Sequence, residues 1–136
     1  MKALVVAFNQ EKALVGAFSV IVQLHQLIVY STIQDMFTEQ FFDQHSVASS
    51  EVRLVMGLHP DEATEPLLDT ALASSINFAV IPCCVFSQLF PHRRLRNNEQ
   101  PVSYEAFCDY LCEKSPQIES EKLPFLGKNR VLYTNL

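Results

Sequence analysis

Glycine is nearly missing from this chain: 136 residues contain three, at positions 16, 57 and 127. Loops that cradle phosphates or dinucleotides need several glycines close together, because the backbone must approach the ligand with no Cβ in the way. No such loop can be written here. Positive charge is also in deficit, with a formal net charge of −5 and a pI near 5.3. That excludes a general nucleic-acid-binding surface but leaves room for a local basic patch. The cysteines do not make a disulfide framework either. Cys83 and Cys84 are adjacent, and Cys108 and Cys112 stand one helical turn apart. Reduced thiols in a cytoplasmic or nuclear protein are the expectation. The start is poor for a secretory signal, because Asn9-Gln10-Glu11-Lys12 interrupts its apolar stretch. The apolar run 13–30 has nearly the length of a membrane span, but Ser19, Gln23, His25 and Gln26 are expensive in hydrocarbon. No membrane association is expected.

What remains is ordinary core material: 49% of the residues are hydrophobic, enough for one domain of normal size over 1–136. Residues 3–8 read as a buried strand. From Lys12 a small or polar stripe recurs at Gly16, Ser19, Gln23, Gln26 and Tyr30, which is helical spacing. Residues 46–51 are polar and form the best candidate seam, with 1–50 as an atypical first part.

The second part, 51–136, alternates strand and helix. Residues 52–58 read as a strand. Thr64 reads as the cap of a helix that opens with Glu65-Pro66 and turns Leu67, Leu68, Ala71 and Leu72 inward. Residues 78–82 read as a second strand, and 87–101 as a loop carrying His92, Arg93, Arg94 and Arg96. Ser103 reads as the cap of a helix with Phe107, Cys108 and Leu111 on one face. Residues 122–125 and 130–134 read as a hairpin around 126–129. Alternation of this kind predicts an α/β fold: a Rossmann-like, mostly parallel sheet closed by an antiparallel β-hairpin.

Two segments carry the chemistry. Gly57-Leu58-His59-Pro60-Asp61-Glu62-Ala63-Thr64-Glu65 follows the first strand of this part, and Val80-Ile81-Pro82-Cys83-Cys84 closes the second. In an open parallel sheet neighbouring strand ends share a rim, and ligands bind outside it. His59 and Asp61 can orient a substrate hydroxyl or take its proton; the plainer alternative is that they cap the loop. Pro60, Cys83 and Cys84 would line the same rim. Cys83 and Cys84 on one strand would point to opposite faces, so no metal site is expected, and space-filling thiols are the plainer reading. Arg93, Arg94 and Arg96 form the one basic cluster and can meet phosphates; otherwise they are a solvated loop or pair with Glu99 and Glu105.

Residues 51–134 resemble the C-terminal half of a class I S-adenosylmethionine-dependent methyltransferase. The strand ending at His59-Pro60-Asp61 looks like that family's fourth, the strand ending at Cys83-Cys84 like its fifth, and the terminal hairpin like the pair that closes its sheet. The His59…Ala63-Thr64-Glu65 loop and the paired cysteines are similar to the branch of eukaryotic tRNA 2′-O-methyltransferases. Here the histidine spacing is one residue shorter, and Val85-Phe86 follows the cysteines where that branch has histidines. The resemblance implies S-adenosylmethionine as cofactor and RNA as substrate, with Arg93, Arg94 and Arg96 on its phosphates. It breaks down in the first half. No glycine pair follows residues 3–8, and Asp35 and Glu39 sit at no clear strand end. That half therefore reads as degenerate, truncated or replaced, with catalysis weak or absent. The alternative function is a non-catalytic scaffold that binds a partner or itself through the incomplete sheet.

Overall fold

The computed structural model describes residues 37, 38, 40–46 and 52–135. The strand expected at 3–8, the helix from Lys12, the acids Asp35 and Glu39, Gly16 and the linker residues 47–51 lie outside them. A short helix, α1 (Phe41–Gln44), comes first. Phe37 stacks on Phe41 with ring centroids 4.8 Å apart, and both meet Phe42 edge-on. These three rings belong to the same buried cluster as Val55 and Leu67.

Beyond them the order is β1 (Leu54–Leu58), a 3₁₀ turn (Asp61–Ala63), α2 (Thr64–Ala73), β2 (Asn77–Ile81), α3 (Tyr104–Cys112), β3 (Glu119–Lys122) and β4 (Arg130–Tyr133). The sheet order is β1-β2-β4-β3. β1 and β2 are parallel, with Val55 opposite Phe78 and Gly57 opposite Val80. β4 lies antiparallel to both β2 and β3. β3 therefore runs in the same direction as β1 and β2. The fold is mixed α/β. A mostly parallel sheet was expected, yet among the described residues only the β1–β2 pairing is parallel, because β4 inserts between β2 and β3.

Strand register decides which side chains share a face. Val55, Phe78, Val80 and Leu132 line one face and join Leu67, Leu68 and Ala71 of α2 and Phe107, Cys108 and Leu111 of α3 in a single core. Both helices thus cover the same side of the sheet. On the opposite face Ala79, Ile81 and Val131 are also buried. β2 is buried on both sides, which explains its unbroken apolar run Phe78-Ala79-Val80-Ile81.

The two longer helices start differently. Ser103 has extended backbone, and its hydroxyl accepts the Ala106 amide at 3.2 Å, so it caps α3 as expected. Thr64 does not cap α2. The 3₁₀ turn runs straight into that helix, and the buried Thr64 hydroxyl donates back to the Asp61 carbonyl at 2.7 Å. A chain that enters a helix already wound has no extended residue to serve as cap. Ser103→Ala is accordingly expected to cost about 1 kcal/mol in a urea titration, the usual loss for a capping hydroxyl.

The hairpin also differs from its expected bounds. Its first strand ends at Lys122, opposite Arg130, and residues 123–129 form the connection. Pro124 has no amide hydrogen to continue the ladder. Asn129 closes the loop instead, its side-chain amide donating to the carbonyls of Leu123 and Phe125 at 2.8 and 2.6 Å. Gly127 sits at φ 101°, a conformation that favours glycine. The displaced strand, Glu119-Ser120-Glu121-Lys122, is a charged sheet edge, and charge of that kind discourages edge-to-edge pairing.

Candidate functional site

β1 ends at Leu58, and the chain turns sharply. His59 and Asp61 both have left-handed backbone, φ 50° and 52°. Such conformations cost energy in non-glycine residues and are retained where the surroundings impose them. Two contacts impose them here. The His59 amide donates to the Ile81 carbonyl at 3.0 Å, which ties the end of β1 to the end of β2. Pro60 is buried and folds back over Gly57, where a Cβ would lie 3.1 Å from Pro60 Cγ and 3.0 Å from Leu67 Cδ1. Gly57 thus serves close packing of this loop.

The same tie brings the second segment in. β2 ends at Ile81, so Pro82, Cys83 and Cys84 are already outside the ladder. They are free of the strict alternation that would send adjacent side chains to opposite faces. The Cys83 thiol donates to Asp61 Oδ1 at 3.0 Å. A carboxylate oxygen of Asp61 and the sulfurs of Cys83 and Cys84 all lie within 4.8 Å of one another. The expectation that the two cysteines diverge is corrected: strand geometry stops before them.

The electrostatics are one-sided. The hydrogen bond from Cys83 holds the Asp61 carboxyl below its ordinary value; the Cys84 thiol and the His59 charge act in the same direction, against some desolvation. Burial pushes the Cys83 thiol up to about 12, and the neighbouring Asp61 adds to the effect. At neutral pH, without a ligand, the rim offers an ionised carboxylate beside a protonated thiol. Thiolate attack by Cys83 is not what this arrangement supports. Asp61 can orient or accept a substrate proton, and the exposed His59 imidazole stands at the same strand end.

The basic cluster divides. Arg93 is buried, 2% exposed, which removes it from the phosphate-contacting role expected of it. Its Nε donates to Glu65 at 2.7 Å and its Nη1 to the Val85 carbonyl at 2.6 Å. The guanidinium lies 3.9 Å from the Phe90 ring centroid and 4.7 Å from that of Phe107. A buried cation requires that much company, and only a tertiary partner decides which arginine receives it. Arg94 and Arg96 are exposed. Arg94 Nη1 donates to the carbonyls of Pro91 and Arg93, and the Arg96 amide to Glu113. Arg93 therefore anchors the loop that carries them, against the first turn of α2.

Sequence reasoning missed Glu65 as a centre. Besides Arg93, its carboxylate receives the Tyr110 hydroxyl at 2.5 Å and the Lys114 ammonium at 2.7 Å. Lys114 also bridges to Asp69 at 3.0 Å. Burial alone would raise the Glu65 carboxyl, but Lys114, Tyr110 and Arg93 outweigh it and hold the group below its usual range. The local signal, an acid in the first turn of a helix, was legible; its three partners lie 28 to 49 positions further along the chain.

No family model, curated protein or solved structure matches the chain significantly. Among the described residues no helix is long and apolar enough to cross a membrane; the apolar run 13–30 lies outside them.

Proposed function

We propose that this chain is a methyltransferase-like protein in which the described residues make up the substrate side of a Rossmann-like sheet. One observation supports this most directly: the strand order β1-β2-β4-β3, with β4 reversed between two strands of common direction. The resemblance likens β1 and β2 to that family's fourth and fifth strands and the β3–β4 hairpin to the pair that closes its sheet, and here that hairpin closes the sheet beside β2. Placement of α2 and α3 on one face agrees with it. So does the strand-end rim, where Asp61, Cys83 and Cys84 meet and His59 adjoins them. In this reading Asp61 and His59 position the methyl acceptor, and Arg94 and Arg96 meet the phosphates of an RNA substrate. S-adenosylmethionine would supply the methyl group. The described glycines do not fit its usual cradle, since Gly57 is packed under Pro60 and Gly127 stands in the hairpin loop. Cofactor binding in this reading rests on residues outside those described.

The same glycine placement favours a second reading, a non-catalytic relative that retains the sheet and rim as a scaffold. Isothermal calorimetry of the full chain with S-adenosylmethionine separates the two. Measurable heat, together with transfer of tritiated methyl groups to RNA that Asp61→Asn diminishes, is the outcome for the enzyme. No heat at millimolar cofactor removes the enzyme and leaves the scaffold.

A further inference from the structure

We propose that Asp61, Cys83 and Cys84 form a three-ligand site for a thiophilic divalent cation, with Zn²⁺ the best match. Their donor atoms lie within 4.8 Å of one another, drawn from two segments that the His59–Ile81 backbone bond locks together. Ligands bonded to zinc at about 2.0–2.3 Å and tetrahedral angles stand about 3.3–3.8 Å apart. The Asp61–Cys83 edge, now a hydrogen bond of 3.0 Å, opens by about 0.5 Å once the thiol proton leaves. Closing the remaining edges takes a movement of about 1 Å, within the reach of side-chain rotation. Two sulfurs and one carboxylate oxygen select against Mg²⁺ and Ca²⁺, which require oxygen shells, and in favour of zinc.

Exposure decides what kind of site this is. Cys83 is buried, while Asp61 and Cys84 are half-exposed. Three protein ligands, two of them half-exposed, leave a fourth position for water or a substrate atom, the pattern of open rather than structural zinc sites. On binding, each thiol gives its proton to the buffer, two sulfur–metal bonds form, and no oxidant or reductant is involved. The other cysteine pair is a poor competitor. Cys108 is fully buried in the apolar core, and the Cys112 sulfur lies 3.9 Å from the Arg130 guanidinium, whose charge repels a cation. The inference does not depend on methyl transfer, because a scaffold can hold the ion as well as an enzyme can.

The test uses the reduced full chain under anaerobic conditions, titrated with Co²⁺ as a spectroscopic probe. One Co²⁺ per chain is expected, with a sulfur-to-cobalt charge-transfer band, strong tetrahedral d–d absorption, and displacement of both by Zn²⁺. Cys83→Ser and Cys84→Ser should each weaken Co²⁺ binding at least about 100-fold, and Cys112→Ser should leave it unchanged. In the unsubstituted protein, Zn²⁺ should protect the half-exposed Cys84, but not Cys112, from alkylation by iodoacetamide. Absence of the charge-transfer band at millimolar Co²⁺, a band retained at full strength by either of those two serine variants, or equal alkylation of Cys84 with and without Zn²⁺ overturns the proposal.

Discussion

Glu65→Ala is expected to lower the unfolding free energy by about 3–5 kcal/mol, read from the midpoint of a urea titration, the range for breaking a buried ion pair from one side. The cost comes less from the lost attraction than from what is left behind. Arg93 is 2% exposed, so without Glu65 its charge is buried with only the Val85 carbonyl and two aromatic faces for company. The Tyr110 hydroxyl loses its acceptor as well. Lys114 suffers less, since it is half-exposed and keeps Asp69. Lys114→Met is therefore expected to cost only about 1 kcal/mol, as for a partly solvated pair. The pH dependence has a definite sign. The folded protein holds the Glu65 carboxyl below its ordinary value of 4.5, so its stabilisation is fully present above that value and is lost as pH falls through the lower, folded one. Asp61, lowered in the same direction, adds to the loss. Acid unfolding of Glu65→Ala should accordingly be less steep below about pH 4.5. An unchanged urea midpoint and an unchanged acid profile would mean that the charges around Glu65 are solvated in solution.

The second large effect belongs to Phe107. Its side chain is fully buried between α3 and the sheet, and Phe107→Ala is expected to cost about 3–5 kcal/mol through lost transfer energy and the cavity left behind. The ring has a second task, since the Arg93 guanidinium lies over it and the Tyr110 ring stacks beside it at 6.3 Å. Removing it loosens the same charged cluster that Glu65 holds. The double variant Glu65→Ala/Phe107→Ala should therefore depart from additivity by about 0.5–3 kcal/mol. Phe107→Leu, which keeps most of the volume and loses the π face, separates the packing cost from the cation contact. Strict additivity in the cycle would show that Arg93 is held by Glu65 alone.

Phe107 also marks where sequence reasoning succeeds, and Glu65 where it stops. Phe107, Cys108 and Leu111 were legible as the buried face of a helix because their spacing repeats with the helical turn. Leu67, Leu68 and Ala71 were legible in the same way, and β2 from its unbroken apolar run. Ser103 was legible as a cap because capping is settled within three residues. β3 was misplaced because an exposed edge strand has no apolar pattern to display, and Glu119-Ser120-Glu121-Lys122 looks like a loop. Arg93 was set among phosphate-binding residues because three basic residues in a loop are locally equivalent. Burial of one of them follows from Glu65, which is remote in sequence.

Local interactions, acting over a turn of helix or a step of strand, are written in residue order, and the sequence alone therefore determined which segments became β1, α2, β2 and α3. The insertion of β4 between β2 and β3, the meeting of Asp61 with Cys83 and Cys84, and the charge cluster around Glu65 were decided only by the tertiary structure. Each depends on sheet register or on a buried charge finding its partner, and both are settled by contacts between segments far apart along the chain.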